Sequence, residues 1–224
     1  MNNRFSPSIN LSEFLNYLAN NSNKNEQLPS LPVISQSLGI SVASLREQLQ
    51  EARALGLVEV KPKTGIKRLR YSFKPAVCRS LSYAVAADPG LFEVFGDLRR
   101  HIESAYYEEA VALLTEVDII YLQSLVQKAK CKLEGTPIQI PHYEHRELHL
   151  CIYRKLNNTF VTGLLETYWD LYETIGLNLY TDISYLKKVW EYHEKIVNAI
   201  SRGELTMGYD LLVDHTNLLN MRNK

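Results

Sequence analysis

Six histidines occur in the 224 residues of the chain, and four sit where a soluble protein normally places leucine. His145 and His149 are one helical turn apart, on the face that also carries Ile152 and Leu156. His193 shares a face with Ile196, Val197 and Ile200, and His215 lies among Leu211, Leu212, Leu218 and Leu219. Three amphipathic segments thus each aim imidazole at an apolar interior. Four imidazoles converging from three helices point to a metal ion held inside a helical bundle. His101 and His142 read as surface residues, although His142 is close enough in sequence to substitute for His145.

The same residues argue against catalysis. The run His145-Arg-Glu-Leu-His149 places Arg146 where a zinc peptidase of the His-Glu-x-x-His type needs its general base. The inverted motif would need an acid at 148, which is Leu148. No Gly-x-Ser-x-Gly elbow and no phosphate-binding glycine loop is present, so the expectation is a protein that is not an enzyme.

The elements that must position these histidines follow from periodicity. Apolar spacing places helices near 90–106, 107–114, 116–132, 140–156, 158–180, 184–202 and 204–221, with a break near 176–181. Upstream, 11–19 reads as a short helix after a frayed start over 1–10. Val33, Ile34 and Leu38 form one helix face that Gly39 ends, and Ser41 caps a second helix running from Val42 to Leu55. Residues 57–60 alternate like a strand, 61–65 form a turn and 66–73 the return strand. Helix, tight turn, helix and hairpin describe a winged helix-turn-helix. The expected fold is therefore mainly α: a winged helix-turn-helix over 1–75, a linker over 76–88, and an antiparallel all-α bundle over 89–224.

Composition agrees with this division. The chain is 46% hydrophobic and 22% charged, ordinary for a globular protein, and no apolar run approaches the length of a membrane span. The start of the chain has no apolar signal segment, and Cys78, Cys131 and Cys151 form no Cys-x-x-Cys pair. These features fit a cytoplasmic protein with its cysteines used for packing. The net charge of zero hides an asymmetry: residues 1–75 carry ten Lys/Arg against five Asp/Glu, and the remainder fifteen against twenty. A basic first part suits a polyanion. In a helix-turn-helix the second helix meets base edges with its N-terminal residues, here Ser41, Ser44 and Arg46. The turn of the wing supplies Lys61, Lys63, Thr64 and Gly65, suited to phosphate and close backbone approach, and operator DNA is the expected partner.

These residues resemble a known family. Leu28-Pro-Ser30, Leu38-Gly39, Ser41, Arg46-Glu47, Gly56-Leu-Val58 and Gly65 are similar to the winged helix of GntR-type transcription regulators. The arginine usual after the turn serine is Val42, and another arginine position falls at Pro32. Both changes shift the balance from base contacts toward phosphate contacts by the wing. The helical part resembles the FCD ligand-binding domain of the FadR branch at 97–104, at 145–158, and at 191–205 with 214–219. The resemblance implies a metal site in which His149, His193 and His215 fall on three histidine positions, while His145 stands where the family carries aspartate. Replacing carboxylate with imidazole softens the site toward a late transition metal, zinc first and nickel second. It also implies a small carboxylate effector, with Arg99 beside Glu103 and Asn158 as candidate effector-binding residues, Tyr153 and Tyr192 among the candidate pocket walls, and a homodimer on paired half-sites. The alternative expectation is an effector-independent DNA-binding or interaction protein with a vestigial metal site, which Val42 and Pro32 favour.

Overall fold

The computed structural model describes residues 10–21, 27–175 and 183–220. The irregular start expected over 1–10 and the break expected at 176–181 fall almost wholly outside these residues. The chain divides into two compact units, Met1–Arg79 and Ser80–Lys224.

The first unit holds α1 (Glu13–Asn20), α2 (Leu31–Leu38), α3 (Val42–Ala54), β1 (Val58–Lys61) and β2 (Gly65–Arg68). Pro32 lies in the first turn of α2, where a missing N–H costs no helical hydrogen bond. Gly39 ends α2 with φ +69°, a left-handed value that a residue with a Cβ resists. Ser41 then starts α3 by accepting the Ser44 amide at 3.1 Å. The two strands pair antiparallel, from Val58 opposite Arg68 to Lys61 opposite Gly65. Lys63 in the turn between them takes φ 72°, and Gly65, which opens β2, takes φ 76°.

Phe14, Leu15, Leu18, Ile34, Leu45, Leu49, Val58 and Ile66 make the core of this unit. Two expectations need correction here. Val33 is 55% exposed and stands off the core, because the face of α2 that packs runs through Ile34 and Ser35. The return strand ends at Arg68, well before the expected 73, and the backbone re-enters helix at Lys74.

α4 (Lys74–Ala87) spans the division between the units, so the stretch expected as a linker is helical. The second unit comprises α5 (Leu91–Ala105), α6 (Tyr107–Ala112), α7 (Glu116–Glu134), α8 (His142–Tyr153), α9 (Thr159–Ile175), α10 (Ile183–Ser201) and α11 (Leu205–Asn220). Within this bundle α10 packs on both α7 and α11, and α8 packs on α6, α7 and α9. Helix starts are locally determined. The Thr115 amide donates to Asp118 at 2.7 Å at the head of α7. Asn158 accepts from the amides of Phe160 and Val161 at 3.1 and 3.2 Å at the head of α9.

One continuous apolar core fills the bundle, with Trp169, Trp190, Tyr107 and Tyr153 its largest fully buried side chains. Of the cysteines expected to pack, Cys151 is buried, Cys78 is half-buried and Cys131 is exposed. Among the described residues no helix is long and apolar enough to cross a membrane.

Candidate metal centre

Helix α8 carries His145 and His149 one turn apart, α10 carries His193, and α11 carries His215. One nitrogen from each ring lies within 4.8 Å of those of the other three. His149, His193 and His215 are buried, and His145 is half-buried. His149 Nε2 and His193 Nε2 face each other at 3.2 Å. Two imidazole nitrogens at that separation share either a proton or a cation. In a tetrahedral zinc site with Zn–N of about 2.0–2.1 Å, ligand nitrogens sit about 3.3–3.4 Å apart, close to this spacing.

Electrostatics favour the ligating form of these rings. Burial, reinforced by neighbouring imidazoles, pushes His145 and His193 well below the usual histidine range. Burial and the nearby His149 take His215 down to about 3. A neutral ring offers the lone pair that a metal needs. Nδ1 of His193 and Nδ1 of His215 are buried and have no hydrogen-bond partner among the described residues. The donor set, four imidazoles with clustered nitrogens, fits a late transition metal. The rings are braced by indoles. Trp169 lies 4.8 Å from His145 and 4.7 Å from His149, and Trp190 lies 4.9 Å from His193, between ring centroids.

Arg99 and Glu103 stand beside the cluster on α5, only 3% and 0% exposed, and pair at 2.7 Å. The guanidinium carbon lies 4.7 Å from the Tyr168 ring centroid. Burial alone would raise the Glu103 carboxyl, but the Arg99 charge and then His149 outweigh it and hold the group below the ordinary range. Burial likewise opposes the Arg99 charge, and Glu103 reverses the direction. A cavity of about 20 Å³, lined by residues that include Arg99, His145, Tyr168, Trp169, Tyr172 and Trp190, adjoins the histidines. That volume holds about one water.

The structure therefore brings His145, His149, His193, His215 and Arg99 together. Asn158 stands apart from the cavity lining. Its carbonyl caps α9 and its amide nitrogen reaches the Tyr106 hydroxyl at 3.2 Å. Tyr153 donates its hydroxyl to the Glu103 carbonyl at 2.8 Å, and the Tyr192 ring lies 6.3 Å from that of His215. Neither lines the cavity, whose aromatic walls come from Tyr168, Trp169 and Tyr172 on α9 and Tyr185 and Trp190 on α10. The signal for them was the i, i+1, i+4 aromatic stripe 168–169–172, which reads equally well as ordinary core.

In the first unit Arg46 is exposed on α3 and Ser44 is half-buried one turn into the same helix. Lys61 pairs with Glu59 at 3.0 Å, which partly offsets its charge. Lys63 and Thr64 occupy the wing turn, and Gly65 opens β2 behind it. Gln27, which sequence reasoning passed over, donates its side-chain amide to the Thr64 carbonyl and bridges Lys67 through its backbone.

The FCD domain family matches residues 95–218. The chain is 27% identical over 187 residues to the Uxu operon transcriptional regulator of Escherichia coli, covering 81% of this chain and 72% of that protein. It is 24% identical over 187 residues to the HTH-type transcriptional regulator LutR of Bacillus subtilis, covering 80% and 82%. Among solved structures, Streptococcus agalactiae GntR shares the fold, with a TM-score of 0.66 at 18% identity over 93% of this chain and 95% of that one. The FCD match spans more than half of the chain, the relatives are transcription regulators and the fold is shared with a GntR structure, and the chain belongs to the FCD-domain regulators of the GntR family.

Proposed function

We propose that this chain is a DNA-binding transcription regulator, without enzymatic activity, whose operator affinity responds to a small carboxylate bound at a metal centre. The observation that carries the reading is the convergence of four histidine nitrogens within 4.8 Å beside a buried arginine. His145, His149, His193 and His215 would hold the ion, zinc in preference to nickel. The metal would supply a Lewis-acidic anchor for an anionic group. Arg99 would hold the same anion through guanidinium donors, which match carboxylate geometry.

The cavity admits only about a water in the present arrangement. Effector entry must therefore displace its aromatic walls, and that displacement is a means of favouring one bundle conformation over another. Ser41, Ser44, Arg46, Lys61, Lys63, Thr64 and Gly65 would face operator DNA. Two copies would present matching winged helices to paired half-sites. Exposed apolar residues on the bundle, among them Val94 and Leu98 of α5 and Val117 and Ile120 of α7, offer surface for self-association.

The small cavity also favours a second reading, in which DNA binding ignores any effector. Elemental analysis of the purified chain and of His149→Ala separates the two at the level of the metal. Near one zinc per chain in the first, and loss of metal in the second, is expected. Operator fragments recovered from a random duplex pool then report affinity with zinc and citrate present or absent. Unchanged affinity under saturation would overturn the effector-responsive reading.

A further inference from the structure

We propose that Glu103 is a positioning residue for the metal centre: it accepts the Nδ1–H of His149 and so presents Nε2 of that ring to the metal. The proposal rests on the metal-centre reading above, and it adds a residue from α5 behind metal ligands drawn from α8, α10 and α11.

The two oxygens of Glu103 face different neighbours. Oε2 accepts from Arg99 at 2.7 Å. Oε1 lies 3.2 Å from Nδ1 of His149. The approach is bent short of full hydrogen-bond geometry, and neither Oε1 nor Nδ1 has another hydrogen-bond partner among the described residues. Each is thus the other's available partner in a site closed to solvent, with Glu103 at 0% and His149 at 1% exposure. An imidazole that ligates a metal through one nitrogen carries its single N–H on the other. With the proton on Nδ1 it meets a carboxylate oxygen. With the proton on Nε2, the ring would instead turn a lone pair toward a buried carboxylate, with no water to separate them. The first tautomer wins, and it leaves the Nε2 lone pair facing His193 Nε2 at 3.2 Å, where the metal belongs.

Two further contacts hold the carboxylate in place. Tyr153, one turn beyond His149 on α8, donates to the backbone carbonyl of Glu103 at 2.8 Å, so the helix that bears the ligand also grips the residue behind it. Arg99 is itself fixed over the Tyr168 and Trp169 rings. By contrast, Nδ1 of His193 and Nδ1 of His215 have no such partner among the described residues. A carboxylate behind a ligating histidine sets its tautomer and orientation, and losing such a group typically lowers metal affinity roughly tenfold to hundredfold.

The test uses the full-length chain and zinc alone. Nitrogen-15 NMR of histidine in the metal-free wild type reports the tautomer directly, with the His149 signals identified by their loss in His149→Ala. The expected result is a proton on Nδ1 of His149, and a proton on Nε2 would overturn the proposal without any variant at Glu103. Zinc affinity, measured by chelator competition, supplies the second arm. In Glu103→Gln the amide oxygen stays with Arg99 and the NH2 turns toward His149, so affinity is expected to fall roughly tenfold to hundredfold. In the double variant Arg99→Met, Glu103→Gln the amide is free to reverse, and most of that loss is expected to return. A role limited to neutralising Arg99 would not produce this recovery. Zinc affinity in Glu103→Gln within about twofold of wild type would overturn the proposal, well short of the effect of an outer-sphere carboxylate. Failure of the wild type to bind zinc would overturn the metal reading itself, which is a different outcome.

Discussion

Burial keeps three of the clustered histidines, His145, His193 and His215, neutral, and that has a measurable consequence for the metal-free chain. An unfolded histidine titrates near 6.5. The fold holds His145 and His193 well below that value and His215 at about 3. Between those limits the unfolded chain binds more protons than the folded one. Stability is therefore complete above the unfolded value and declines as pH falls below it. The slope reaches up to about 1.4 kcal/mol per pH unit for each histidine kept neutral. Urea midpoints of the metal-free protein should be clearly lower at acidic pH than at neutral pH, and His215→Leu should flatten the trend. An unchanged midpoint would contradict the assignment of these rings as buried and neutral. At this scale the sequence was most legible, because an imidazole at an i, i+4 position on an apolar face has few places to go. Glu103 was visible only as one half of an ion pair with Arg99. Its contact with His149 joins residues 46 apart and leaves no local trace.

At the scale of elements, close packing decides where the ligand-bearing helices lie. Gly208 on α11 faces Tyr107 on α6, and a Cβ at that position would come within 2.1 Å of the tyrosine hydroxyl. Tyr107 is fully buried and has little room to retreat. Gly208→Ala should cost about 1–3 kcal/mol by overpacking, measured by urea unfolding, and Tyr107→Phe in the same chain should return part of it. A neutral effect would mean that the two helices have slack. In the wing, Gln27 supports the turn by donating to the Thr64 carbonyl. Gln27→Ala should weaken DNA binding by a few-fold to about tenfold, the worth of one hydrogen bond, while leaving the zinc content unchanged. Helix placement was legible because 3.6-residue periodicity is strong over long amphipathic segments. The aromatic walls on α9 were not, since a Tyr-Trp stripe looks the same facing core or cavity.

For the whole molecule, charge separates the two units: the basic excess lies at the N-terminal end and the acidic excess beyond it. DNA binding should therefore weaken steeply with salt, and Lys63→Ala should lower the slope of log affinity against log salt by about one per wing. A slope unchanged by that substitution would remove Lys63 from the phosphate contacts.

Taken alone, the sequence determined the winged helix, the helical bundle and which four histidines turn inward. Each of these rests on local propensity, capping and periodicity, which act over a few residues. Tertiary structure decided the rest. It brought nitrogens from α8, α10 and α11 within 4.8 Å, set Asn158 to capping α9, and placed a shared carboxylate behind His149. It also left the adjoining cavity at about 20 Å³. These outcomes depend on how helices far apart in sequence pack, and side-chain volume and burial fix that only when the whole core is assembled.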